Sequence, residues 1–322
     1  MQFLKYLTEK QIMFHSKLGK KYGNIVLLAG GAGSGKGFAI KNFMEGNLFK
    51  IRDVDEMKKL WMKLAEYKKK YPEIRNLNLK EPKDVYKIHM FVKEKETKSK
   101  TFDLLMQDLQ KGRLPNLLFD ITFKDKGFKW HWLQRMIDIG YDPTDVNLVW
   151  VLTAYPVAVT NNRERDRVVP DKIMLATHEG AAINMIKVIM GDFPQVKDKS
   201  IFDGAIHVIL NNKENTLFWA GYDKKTKKAV TTDDIKKAIK TKPTKAEIDL
   251  YYKTDGKEGR KPQPVIADFK YLTLKKKGQS MTTNDDIMKA VSKWIVDNIP
   301  KSVEASFRLA NETPPNDITR KT

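Results

Sequence analysis

Residues Val26–Ile40 read VLLAGGAGSGKGFAI: an apolar run, a glycine-rich turn, a lysine, and a return to apolar residues. Gly30 and Gly35 enclose four residues and Lys36 follows, which satisfies the G-x-x-x-x-G-K pattern of a phosphate-binding loop. Glycines allow φ > 0 and let backbone N–H groups approach phosphate oxygens. A lysine and the start of a helix add positive charge at the same place. The backbone from Gly30, Gly31, Ala32, Gly33, Ser34 and Gly35 through Lys36, Gly37 and Phe38 is therefore the expected nucleotide-phosphate cradle. One departure stands out: Gly37 occupies the position where such loops usually offer a serine or threonine hydroxyl to magnesium.

Outward from the loop, strands and helices alternate. Asn24–Gly30, Leu48–Val54, Pro115–Thr122, Val146–Ala154 and Ala205–Asn211 read as five strands, several of them continuously apolar. Met57, Leu60, Trp61 and Leu64 recur at helical spacing, and a longer helix is expected from Asp84 to about Lys111. Further helices are expected before Gly140, over PVAVTNNRERDR, and from Asp171 to about Met190. The expected fold is α/β: a mostly parallel five-stranded sheet with helices on both faces, and ligands bound beyond the carboxyl ends of the strands.

Each strand end can then be asked what it delivers. The second ends in RDVDEM, where Asp53 and Asp55 share one side of an extended segment. Asp55 can accept a proton from an attacking hydroxyl or hold Mg²⁺; its other reading is the N-cap of the following helix. The third ends in LLFDITF, placing Asp120 where a carboxylate orders Mg²⁺ opposite the loop; Thr122 is a weaker candidate. After the fourth comes TNNRERDRVVP, whose arginines suit a transferring phosphoryl group or else a solvated helix face. Arg163 and Arg167, one turn apart, are the choices here. His178 reads as structural or surface, and the turn Asn211–Asn215 as a place for an adenine base.

Composition bounds the rest. The 322 residues are 41% hydrophobic and 31% charged, without a cysteine, which excludes disulfides and thiolate zinc sites. No apolar run approaches the roughly 20 residues of a membrane helix. The N-terminus lacks a signal-peptide core and reads as an amphipathic segment over 1–23, so a cytoplasmic location is expected. The net charge is +20, and from Gly221 onward 23 Lys/Arg stand against 14 Asp/Glu on about a third of the length. A basic α+β extension over 221–322, following a core domain over 24–220, is one candidate platform for nucleic acid; a solvated lysine-rich surface is the other.

Together these residues resemble the P-loop kinase group that includes zeta toxins and phage-type deoxynucleoside monophosphate or DNA-modifying kinases. The loop GGAGSGKG is similar to that of adenylate and related nucleoside monophosphate kinases, which also place glycine after the lysine; they follow it with threonine where this chain has Phe38. NNRERDRVVPDKIMLATHEGAAINM is similar to kinase-like proteins of large tailed phages. The resemblance spans roughly Asn24 to Asn211. It implies a P-loop kinase core using ATP and Mg²⁺. In this reading Lys36 lies on the triphosphate, and Asp55 is the base that activates the acceptor. Asp120 and Asp55 are the metal-facing carboxylates, and Arg163 and Arg167 stabilise the transferred phosphate. The implied acceptor is a nucleotide or nucleotide-bearing molecule, DNA or RNA included. The rivals are a nucleic-acid-binding P-loop ATPase and a virion or structural protein with an inactive kinase fold.

Overall fold

Residues Ile25–Ala29 form strand β1, and all five are buried from solvent, as a run of aliphatic residues covered on both faces requires. Their side chains alternate: Ile25, Leu27 and Ala29 enter one core cluster, Val26 and Leu28 another. The computed structural model describes residues 12–14, 22–44, 46, 48–109, 114–124, 131–192, 201–212, 270–282 and 285–294, and, as backbone alone, 47, 130, 195–196, 199–200, 216–223, 229–231, 248–249, 252–253, 263–264, 266–269 and 295–298. The amphipathic segment expected over 1–23 lies almost wholly outside these.

The main sheet contains β1, β2 (Phe49–Asp53), β3 (Asn116–Asp120), β4 (Val146–Leu152), β5 (Ile206–Leu210) and β6 (Tyr271–Lys275). The helices, in chain order, are α1 (Lys36–Asn42), α2 (Val54–Lys63), α3 (Ala65–Lys70), α4 (Pro82–Glu94) and α5 (Thr97–Leu109). They continue with α6 (Trp130–Asp138), α7 (Tyr155–Glu164), α8 (Asp171–Ile189) and α9 (Asp285–Asn298). Strand order is β6-β5-β4-β1-β3-β2, with every pairing parallel except β6 on β5. This is a mixed α/β fold with a mostly parallel sheet, consistent with a P-loop kinase.

Six strands stand where five were expected. The sixth comes from the region assigned to the basic extension: β6 lies antiparallel on β5, Leu272 opposite Val208, with a register shift between Thr273 and Lys275. Ile287, Val291 and Trp294 of α9, at helical spacing, enter the same core cluster as β4 and β5. Strand β6 and the buried face of α9 thus belong to the core of the main sheet. Elsewhere in that region Thr216–Asp223 pairs with Ala229–Thr231, Ile248–Asp249 and Ile266–Phe269 in a small antiparallel sheet.

Two helices expected as continuous are broken. Asp84–Lys111 divides into α4 and α5 at Glu96, whose φ of 52° is left-handed. The helix after Asp55 divides into α2 and α3 at Leu64, which is extended at ψ 122°. Gly140, with φ 115°, follows α6 as expected of a helix-closing glycine.

At the carboxyl edge, β1 leads into α1 on one face of the sheet, while β3 and β4 lead into α6 and α8 on the other. Such a divergence opens a crevice at the strand ends, and the loop Gly30–Lys36 lies in it. Among the described residues no helix is long and apolar enough to cross a membrane.

Candidate active site

The glycine-rich loop is held from outside by four elements. Thr153, at the end of β4, donates to Ser34 O at 2.7 Å, and Asn211, at the end of β5, donates to the same oxygen at 2.8 Å. Asn161 of α7 donates to Gly33 O at 3.0 Å. On α8, Thr177 accepts from the Ala32 amide at 3.0 Å, and His178 Nε2 lies 2.7 Å from Ala32 O. Because a carbonyl only accepts, His178 carries its proton on Nε2. In a trans peptide the N–H points opposite the preceding C=O. With the carbonyls of Ala32 and Ser34 turned toward the protein, the amides of Gly33 and Gly35 turn into the hollow of the loop, as an anion cradle requires.

This geometry explains the glycines. A Cβ on Gly31 would lie 2.2 Å from the His178 ring, and one on Gly33 would lie 2.3 Å from the Ala158 carbonyl oxygen. Gly35 adopts φ 88°, the left-handed conformation that turns the loop into α1. Lys36 reaches back across the hollow, donating to Gly30 O at 2.7 Å and Gly31 O at 3.2 Å, with Asp120 at 3.6 Å. Gly37 is different: nothing lies within 4 Å of a Cβ built there. The phenyl ring of Phe38 packs edge-on against Phe43 at 5.5 Å, in the core cluster beneath α1, so its side chain anchors the helix instead of facing the loop.

Across the crevice the parallel register sets Asp53 of β2 directly beside Asp120 of β3. Asp53 is the N-cap of α2, accepting from the Asp55 amide at 2.7 Å. The cap reading considered for Asp55 therefore belongs to Asp53, and Asp55 sits in the first turn. Burial and the neighbouring Asp53 and Asp55 push Asp120 up to about 6, although Lys36 pulls the other way. Asp53 is also raised, by burial and by Asp55 and Glu56. Burial works against ionisation of Asp55 too, but Lys58 and Arg167, with Arg165 further off, overcome it and hold Asp55 at about 2. Lys58 donates to it at 3.0 Å from one turn along α2, and Arg167 Nη2 donates to its other oxygen.

The arginines divide differently from their sequence spacing. The helix α7 ends at Glu164 and Arg165 is extended, so Arg163 and Arg167 share no helical face. Arg163 is exposed and makes no ion pair among the described residues, whereas Arg167 is buried on Asp55. The structure thus brings together Lys36, Asp53, Asp55, Asp120 and Arg167, adds Lys58 and Arg165, and leaves Arg163 outside. Thr122 is half-buried just past β3. Asn211 binds the loop and Asn212 accepts from the Ala154 amide at 3.0 Å; the rest of the turn expected to hold adenine lies outside the described residues. Of the residues that the sequence did not mark, Lys58 had a signal, its i+3 spacing from Asp55. Thr153, Asn161 and Thr177 had none.

Beside Gly37, Asp53 and Asp120 opens a cleft of about 600 Å³, walled by Ile40, Ile51, Met57, Leu60 and Leu105. Among the described residues no three His, Asp or Glu side chains converge closely enough to hold a metal ion by themselves. The donors suit Mg²⁺ nonetheless, since that ion is bound by one or two carboxylates together with substrate phosphates and water. Asp120, beside the lysine of the loop, is the carboxylate so placed.

No protein-family model matches the chain, and no curated protein does. Among solved structures, one from the PezAT chromosomal toxin–antitoxin system of Streptococcus pneumoniae is similar at 16% identity. The match covers 72% of this chain and 78% of that one, with a TM-score of 0.38. Strand order and the position of the loop, independently of that likeness, carry the assignment of the fold.

Proposed function

We propose that the protein is an ATP-dependent phosphotransferase that moves the γ-phosphoryl group to a hydroxyl of a nucleotide-type or nucleotide-bearing acceptor. The observation that carries this reading is the loop itself: the carbonyls of Ala32, Gly33 and Ser34 are tied to surrounding elements, which turns the amides of Gly33 and Gly35 inward, and Lys36 lies 3.6 Å from the carboxylate of Asp120.

The loop amides and Lys36 hold the triphosphate, Lys36 exchanging its contacts with Gly30 and Gly31 for phosphate oxygens. Asp120 is the residue that would hold the Mg²⁺ accompanying ATP, and that ion would supply neutralisation of charge on the phosphates. Asp55 accepts a hydrogen bond from the acceptor hydroxyl and orients it. Lys58 and Arg167 occupy part of its lone-pair capacity and fix its position, and about a third of the side chain stays open. A carboxylate at about 2 is a weak base, yet phosphoryl transfer passes through a loose transition state in which the nucleophile needs positioning more than early deprotonation. The acceptor oxygen bonds to the γ-phosphorus, the bond to the bridging oxygen breaks, and ADP departs. The acceptor proton passes through Asp55 to solvent. Arg167, with Arg165, supplies positive charge against the negative charge carried by the equatorial oxygens of the transferring group.

The test is transfer from γ-labelled ATP to nucleoside monophosphates, nucleotide sugars, DNA and RNA in parallel. Lys36→Ala should abolish a transfer that the wild type performs. Transfer retained in that variant refutes the assignment. Turnover of ATP stimulated by nucleic acid with no labelled acceptor would favour an ATPase instead.

A further inference from the structure

The loop clamp reaches one layer deeper than the residues that touch the loop. His178 is 6% exposed, and its imidazole has the Gly31 backbone against it, since a Cβ there would come within 2.2–2.4 Å of three ring atoms. Its Nε2–H holds Ala32 O at 2.7 Å. The indole of Trp294 stacks on this ring, with centroids 5.8 Å apart and planes 17° from parallel. Tyr155 lies roughly perpendicular to both rings, with centroids 5.6 Å from His178 and 6.3 Å from Trp294. The imidazole can keep its bond to Ala32 only in the plane it now has, and the indole limits rotation out of that plane.

We infer that Trp294 of α9 is a positioning residue for nucleotide binding: its indole fixes the plane of His178, and His178 fixes the carbonyl of Ala32 that turns the loop amides inward. This rests on the reading that the loop binds nucleotide. It gives α9, placed about 260 residues beyond the loop, a part in the affinity of the site. The electrostatics agree: burial, with Lys36 adding to it, pushes His178 down to about 4 against the pull of its Ala32 bond, so the ring is neutral and keeps one donor at working pH. Offset or edge-on aromatic pairs add stabilisation beyond their area, enough to shift an equilibrium by roughly two- to tenfold.

The experiment compares Trp294→Leu and Trp294→Phe in the full chain. Binding of a non-hydrolysable ATP analogue is measured by calorimetry, and amide hydrogen exchange is followed at 31–35. The leucine variant should bind the analogue about five- to tenfold more weakly and exchange its loop amides faster, with acceptor KM unchanged; the phenylalanine variant should recover both to within about twofold. A folded leucine variant with wild-type affinity and wild-type loop exchange overturns the inference. Should that variant fail to fold, His178→Phe decides: it keeps a ring for stacking but loses the bond to Ala32, so unchanged affinity overturns the inference and weakened affinity supports it. If the wild type binds no ATP analogue, the nucleotide reading fails by itself. Loop exchange in the leucine variant then still judges the brace, faster exchange supporting it and unchanged exchange overturning it.

Discussion

Replacing Glu179 by glutamine should raise stability by about 1 kcal/mol at pH 5 and by about 3 kcal/mol at pH 9. Glu179 follows His178 on α8, is fully buried, and has no hydrogen-bond partner for either carboxylate oxygen among the described residues. Burial raises its pKa from 4.5 to about 7, and that interval corresponds to about 3 kcal/mol between the two protonation states. The sign follows from where the proton is held more tightly. The folded protein keeps it to about pH 7 and the unfolded chain releases it near 4.5, so folding is penalised progressively as pH rises across that window. Glutamine matches the protonated acid in shape and polarity and never ionises. The measurement is urea unfolding of both proteins from pH 5 to 9, comparing midpoints at constant m. Every other titrating group is common to the two, so their difference isolates this carboxyl. Parallel stability profiles, with no divergence between pH 5 and 8, would refute the reasoning.

Two further outcomes concern the metal side of the site. Gly37→Ser should fold like the wild type, since nothing lies within 4 Å of the added Cβ, and should lower the Mg²⁺ concentration at half-maximal transfer several-fold. An unchanged magnesium titration would mean that the ion does not approach position 37. Because Asp120 must be ionised to face a cation, kcat/KM should rise with pH up to about 6 and level above it. Asp120→Asn should remove that limb together with most activity, and a pH profile identical to wild type would sink the role.

The core of the sheet was legible because β1 is wholly apolar and β3 and β4 largely so, the three ended by Gly30, Asp120 and Thr153, so strand, direction and edge are all local properties. The loop was legible for the same reason: its motif lies between a strand and a helix. The addition of β6 was not, because nothing in Tyr271–Lys275 states which strand lies beside it, and its partner is some 60 residues earlier. The break at Glu96 was hidden because neither glycine nor proline marks it. Spacing suggested pairing Arg163 with Arg167 only if both were helical, and the end of α7 at Glu164 separates them. The clamp was the least visible part. Thr153, Asn161, Thr177, His178 and Asn211 bond to the loop across 119–177 residues, and such contacts leave no periodicity.

The antiparallel pairing of β6 on β5 also sets a timetable for synthesis. Strand β5 leaves the ribosome with one edge of its backbone uncovered and with Ile206, Val208 and Ile209 destined for full burial. At roughly 5–20 residues per second, the 65 residues from Leu210 to Lys275 take about 3–13 s to be made. During that interval a nascent chain carries an open apolar strand edge, the kind that pairs with a neighbouring copy. Synonymous slow codons placed within residues 211–275 should therefore lower soluble yield without altering the finished fold.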